Sequence, residues 1–197
     1  TPVNDAPIAF DALYFVDEDD TLNTIITAND GDSLNGEYDD QVIEFFILEG
    51  FENGTYSLVE SSGEMTYTPY SDYFGSDSMH YFVIDNGVTD GVASPLADTA
   101  MIVVQILPVN DTPVLQSIQD TSLYEDGSLT LPVFVSDIDN DEVSLTVSTS
   151  NPENIYADLV DMMLYLTPSA DWHDTVMVTL VASDNMDRAL DIVEFEL

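Results

Sequence analysis

The feature that most constrains this chain is a six-residue motif that occurs twice. Pro2-Val3-Asn4-Asp5-Ala6-Pro7 opens the sequence, and Pro108-Val109-Asn110-Asp111-Thr112-Pro113 stands in its middle. Asn4 and Asn110 are 106 residues apart (110 − 4). A period of that length matches one small all-β domain and is the signature of a tandem array. The motif also has chemistry of its own. Asn and Asp side chains, with the carbonyls of a Pro-bracketed extended segment, are hard oxygen ligands of the kind calcium takes. Residues 107–113 are therefore expected to be a hinge between two similar domains, stiffened by metal.

The rest of the chain repeats in register with the motif. Glu18 recurs as Glu125, Asp30 as Asp137 and Asp32 as Asp139, each at a separation of 107 (125 − 18). Thr68-Pro69 recurs as Thr167-Pro168, Asp72 as Asp171 and Asp85 as Asp184, each at 99 (184 − 85). The first repeat thus carries eight more residues (107 − 99) between Asp32 and Thr68, and the acidic segment 37–40 is expected to contribute to them. Between these markers lie short alternating runs, each closed by a turn signal. In the first repeat they are Phe10 to Val16, Leu22 to Thr27, Val42 to Leu48, Met65 to Thr68, Ser78 to Ile84 and Ala100 to Leu107. In the second they are Thr121 to Tyr124, Leu129 to Val135, Tyr165 to Thr167, Val176 to Ala182 and a last strand with Val193, Phe195 and Leu197 on one face. Asn35-Gly36, Asn53-Gly54 and Asp85-Asn86-Gly87 read as tight turns. No helix of ordinary length is evident. The expected fold is all-β, two tandem β-sandwiches with aligned sheets.

Charge narrows the function. The chain carries 39 Asp plus Glu against a single basic residue, Arg188, for a net charge of −38. Two carboxylates about 4 Å apart repel by roughly 4 kcal/mol at an effective dielectric near 20. One Arg cannot neutralise such clusters, whereas bound divalent cations can. Nucleic acid and anionic membranes need Lys and Arg, so neither is expected as a partner. No apolar run approaches a membrane span, so direct membrane insertion is not expected, and none of the residues given reads as a signal peptide. Without cysteine there is no disulfide, thiolate site or cysteine nucleophile. The chain begins at Thr1 inside a motif and stops where a further linker would be due. It is expected to be a fragment of a longer secreted or surface-anchored protein, extracellular or at the cell surface.

The paired linker motif, the Glu closing the first strand, the Asp-x-Asp turn and the late Asp after an alternating strand resemble cadherin repeats. The Asn-Asp-Ala-Pro form of the linker, with Tyr67-Thr68-Pro69, Phe74-Gly75 and Asp77, is closer still to the bacterial cadherin-like tandem repeats of giant surface adhesins and of some polysaccharide-degrading enzymes. That resemblance implies immunoglobulin/cadherin-like Greek-key sandwiches: domain 1 at residues 1–107 with linker 1–7, and domain 2 at 108–197 with inter-domain linker 108–113. It also implies the calcium ligands. The inter-domain set is Glu18 and Asp72 from the first domain with Asn110, Asp111, Asp137, Asp139 and Asp184. Asn4, Asp5, Asp30, Asp32 and Asp85 form an N-terminal half-site, and Glu125 and Asp171 a C-terminal one. The Leu-Asp-Arg-Glu motif that cadherins place at the position of Asp72 is absent here.

Other readings of the same residues are weaker. Asp137-x-Asp139-x-Asp141 looks like the start of an EF-hand loop, but Glu142 stands where that loop needs Gly and Ser148 where it needs Glu. His80 and His173 do not match in register, and neither has a His or Cys neighbour for zinc. Acids that recur in both repeats read as ligands rather than as one catalytic pair, so the chain is not expected to be an enzyme. The expected role is a calcium-rigidified adhesion or extender module whose partners are neighbouring repeats of the same chain. The alternatives are a carbohydrate-binding module, with Tyr70 and Tyr73 as a stacking platform for polysaccharide, and calcium-dependent association of like molecules. Phe74 and Trp172, near-equivalent in register, are expected in a core or end-cap role.

Overall fold

The computed structural model describes residues 3–30, 42–184, 186 and 190–197. Asp32, the Asn35-Gly36 turn, the acidic segment 37–40, Asn185 and Arg188 lie outside the described residues. The chain divides into two compact units, Thr1–Val109 and Asn110–Leu197. Among the described residues every regular element is a strand.

In the first unit the strands run β1 Ile8–Ala9, β2 Ala12–Asp17, β3 Leu22–Ile25, β4 Ala28–Asn29, β5 Glu44–Glu49, β6 Gly54–Leu58, β7 Glu64–Pro69, β8 Gly75–Ile84, β9 Val88–Thr89, β10 Val92–Ala93 and β11 Ala97–Leu107. One sheet has the order β2-β11-β8-β5 and the facing one β3-β7-β6. β8 shows why this sequence makes a strand. Asp77, Met79, Tyr81, Val83 and Asp85 are buried while Ser76, Ser78 and His80 face out, the two-residue period of a half-buried strand. β11 answers with Ala100, Ile102, Val104 and Ile106, which join Tyr67, Met65 and Phe45 in the core. β11 also pairs parallel with β2, from Ile102↔Ala12 to Leu107↔Asp17, so the first long strand and the last run side by side.

Asp77, Tyr67 and Tyr81 bring polar groups into this core. Asp77, 5% exposed, accepts hydrogen bonds from the amides of Glu52, Asn53 and Ser78 and from the Tyr67 hydroxyl, at 2.8–3.1 Å. Burial, then the hydrogen bond to Asp77, pushes the Tyr67 hydroxyl well above the usual phenol range. Tyr81 is shifted upward as well, chiefly by burial, and donates its hydroxyl proton to the Phe10 carbonyl at 2.8 Å.

The second unit repeats the plan with β12 Val114–Leu115, β13 Leu129–Pro132, β14 Val135–Ser136, β15 Ser144–Thr149, β16 Ile155–Val160, β17 Met163–Pro168, β18 Met177–Ser183 and β19 Leu190–Glu196. Its sheets are β15-β18-β19 and β13-β17-β16. Leu164, Leu166, Val178, Leu180, Ala182 and Phe195 form the core. Val176 stands where the first unit has Asp77: it exchanges backbone hydrogen bonds with Leu197 as Asp77 pairs with Val104.

Three expectations need correction. The run Thr121 to Tyr124 is not a strand; only its first amide reaches a backbone neighbour, Thr121 N–H donating to Glu196 O at 3.0 Å. Phe74 is 54% exposed. Tyr73 packs on the first core and Trp172 on the second, because Asp72 and Asp171 are the matched positions and each is followed by its packing aromatic. With Tyr73 partly buried and its hydroxyl donating to Ser76 O, Tyr70 and Tyr73 do not make a matched pair of free faces.

Candidate metal centres

The N-terminal end of each unit is built around an Asn–Asp pair. In the first unit Asn4 is 5% exposed and Asp85 3%. Asn4 Nδ2 donates to both Asp85 carboxylate oxygens at 3.1 Å and to Ser94 O at 2.9 Å. Asp85 Oδ1 also accepts from the amides of Gly87 and Leu96. The chain passes so close here that a Cβ at residue 87 would collide with the Asn4 amide group, which is why glycine stands there. These bonds turn Asn4 Oδ1 the other way, where it is buried with no hydrogen-bond partner. Asp5 is exposed and Asp30 partly so.

The second unit repeats the arrangement. Asn110 Nδ2 donates to Asp184 Oδ2 at 2.9 Å, and Asn110 Oδ1 is again buried without a partner. Asp184 is 5% exposed, and its Oδ1 accepts from Met186 N. The Asp-x-Asp turn lies beside this pair. Asp137 Oδ1 accepts from the amides of Asp139 and Asp141, and Asp139 Oδ2 accepts from Asp111 N at 2.7 Å. Asn140, at φ 63°, lets the loop double back. Carboxylate oxygens of Asp137, Asp139 and Asp141 come within 4.8 Å of one another, and Asp137 Oδ2 is buried with no partner.

The C-terminal ends carry a different device, also repeated. Glu18, 3% exposed, holds the departing chain: its amide donates to Leu107 O at 2.9 Å and its Oε1 accepts from Val109 N at 2.7 Å. Beside it Asp72 N–H donates to Asp19 Oδ1 at 3.4 Å, and Asp171 N–H donates to Asp126 Oδ1 at 3.2 Å in the second unit. Asp19, Asp72, Asp126 and Asp171 all have φ between 57° and 62°. Short polar side chains tolerate that left-handed conformation, so backbone geometry is one reason these acids recur. Glu125 is exposed, unlike Glu18.

Several of the described sequence-marked acids are therefore brought together in each unit. Asn110, Asp111, Asp137, Asp139 and Asp184 come together in the second unit, Glu18 and Asp72 fall at one end of the first, and Asn4 and Asp85 at the other. Asp19, Asp126 and Asp141 were missed as members of these clusters. The recurrence of Asp19 at Asp126, 107 residues on (126 − 19), was the available signal. The donors are oxygens only. Buried Asn and Asp oxygens that accept no hydrogen bond are what a hard cation with six to eight oxygen ligands would use. A magnesium ion, which keeps its waters in a tight octahedron, fits such loosely gathered carboxylates less well. His80 is engaged elsewhere, with Nδ1 3.4 Å from Glu49.

A family model described as bacterial Ig domain matches residues 4–94 and again 110–190. No curated protein matches the chain. Among solved structures, the protocadherin GammaB4 extracellular domain aligns with a TM-score of 0.54 at 15% identity, over 98% of this chain and 34% of that one. The protocadherin gammaB7 EC3-6 cis-dimer structure aligns with a TM-score of 0.52 at 16% identity, over 98% of this chain and 52% of that one. The chain thus spans between a third and about half of these structures, and at such identity the likeness is one of fold.

Proposed function

The chain belongs to the bacterial Ig domain family, and from that premise we propose that it is a calcium-rigidified tandem module of a secreted or surface protein, acting in adhesion or as an extender. The observation that carries this reading is the repeated Asn–Asp pair. In both units the amide nitrogen is spent on the buried aspartate, and the amide oxygen is left buried and unsatisfied. A buried acceptor without a partner costs about 1–3 kcal/mol, so its presence twice, beside acids, asks for a ligand. Calcium supplies positive charge and accepts those oxygens.

At the junction the ion would be held by Asn110, Asp111, Asp137, Asp139 and Asp184, with Glu18 and Asp72 contributed from the first unit. Asp19 is a further carboxylate beside Asp72. The N-terminal set would be Asn4, Asp5, Asp30, Asp32 and Asp85, and the C-terminal set Glu125 and Asp171. Glu18 already grips the backbone at Val109, one residue before Asn110. Fixing the linker at both of its ends would limit the swivel of one sandwich on the next. The proposed role is a structural one, in which the acids act as ligands.

Calcium titration by calorimetry tests this. The parent chain should bind saturably. Asp137→Ala should weaken the second-unit site at least tenfold, because it removes both the orphaned Oδ2 and the oxygen that shapes the turn. Equal heats from parent and variant would count against the proposal.

A further inference from the structure

The outer faces of two equivalent sheets differ in a way the fold does not require. Tyr156 on β16 and Tyr165 on β17 point away from the second core, 66% and 41% exposed. Tyr156 pairs with Thr167, which shares a face with Tyr165 two residues along the same strand. Such diagonal neighbours stand about 7–8 Å apart, close enough for one ligand to lie across both. Tyr165 has Thr130 opposite it on one side and Asp158 on the other. Among the described residues neither ring stacks on another aromatic ring.

The sheet β3-β7-β6 of the first unit supplies the comparison. Its pair Thr55↔Thr68 matches Tyr156↔Thr167, and its pair Ser57↔Thr66 matches Asp158↔Tyr165. Small hydroxyl residues there satisfy one another, with the Ser57 and Thr66 hydroxyls 2.7 Å apart and those of Thr21 and Thr68 2.8 Å apart. Threonine favours a strand as tyrosine does, so neither the fold nor strand propensity asks for rings at positions 156 and 165.

Exposed rings with polar groups among them have a definite chemistry. A tyrosine face is apolar and flat and can cover the C–H face of a pyranose ring, while its hydroxyl stays wet. Thr130, Asp158 and Thr167 lie on the same face and offer oxygens to the sugar hydroxyls. The centre of a protein–protein contact is depleted of charge, yet Asp158 stands on this face between Tyr156 and Val160. A chain of net charge −38 with one basic residue also opposes an acidic polymer. We propose that the outer face of β13-β17-β16 binds a neutral polysaccharide, with Tyr156 and Tyr165 stacking on rings of one sugar chain and Asp158, Thr130 and Thr167 hydrogen-bonding its hydroxyls. The site does not rest on the metal centres.

Affinity electrophoresis of the full chain tests this, at constant calcium, in gels holding hydroxyethyl cellulose, galactomannan or laminarin. At least one of these neutral polymers should retard the chain, and carboxymethyl cellulose, an acidic counterpart of the first, should retard it less. Tyr156→Thr combined with Tyr165→Thr gives the second unit the residues that the first unit has at those places, and should weaken binding at least tenfold. Tyr156→Phe combined with Tyr165→Phe keeps both rings and should keep most of the binding. Tyr124, 91% exposed and outside this face, is the control: Tyr124→Thr should change nothing. No retardation by the three neutral polymers, stronger retardation by the acidic one, or equal retardation of the double Thr variant overturns the proposal. Sedimentation in which the parent pairs with itself and the double Thr variant does not overturns it too, because the face would then be a contact between copies of the chain.

Discussion

Calcium at about a hundred times its dissociation constant is expected to raise the melting temperature by roughly 10–20 °C over the same chain in chelator. Saturation at that ratio favours the folded state by about 2.7 kcal/mol per site, and each kcal/mol moves the midpoint of a domain of about 100 residues by about 4–8 °C. The structural ground is the turn in which Asp137, Asp139 and Asp141 bring carboxylate oxygens within 4.8 Å of one another. Like charges at that spacing repel by a few kcal/mol per pair at an effective dielectric near 20, and the chain has one basic residue to set against 39 acids. Monovalent salt screens this repulsion only in part, because screening is weaker for partly buried groups. Calorimetric melts in calcium, in magnesium and in chelator would measure the effect. Superimposable melts would remove the basis for metal stiffening.

Asp77→Ala is expected to destabilise the first unit by about 3–5 kcal/mol, because a buried acceptor of four hydrogen bonds disappears. Its midpoint should fall by at least about 12 °C, while the second unit, whose core has Val176 at that place, keeps its own transition. One melt would become two. Tyr67→Phe, which removes only the hydroxyl donor, should cost about 1 kcal/mol. A single unchanged transition in Asp77→Ala would show that the network adds nothing to stability.

Much of this was readable in the residues because the two repeats mark each other. Strands that alternate cleanly and stop at a proline or an Asp-Asn turn, such as β8 and β18, are found by their period. β15 and β16 are harder. Ser144–Thr149 alternates Ser and Thr with Leu and Val, so its buried face is weakly marked, and 155–160 carries Asp158 mid-strand. These strands are fixed by their partners β18 and β17 rather than by their own pattern. Tyr73 and Phe74 show the same limit: adjacent aromatics carry no sign of which one turns inward until the turn before them is built. At the candidate sites, register identified the acids. It could not show that Asn4 and Asn110 spend their nitrogens on Asp85 and Asp184, since that depends on side-chain rotation.

The parallel pairing of β2 with β11 has a mechanical consequence. Tension applied between the ends of the first sandwich would load that ladder sideways, along the strands, so its rungs from Ala12 to Asp17 must give way together rather than one at a time. Pulling on single molecules should therefore show this sandwich yielding in one abrupt rip. A gradual, zipper-like extension would mean that the two strands part before the load reaches them.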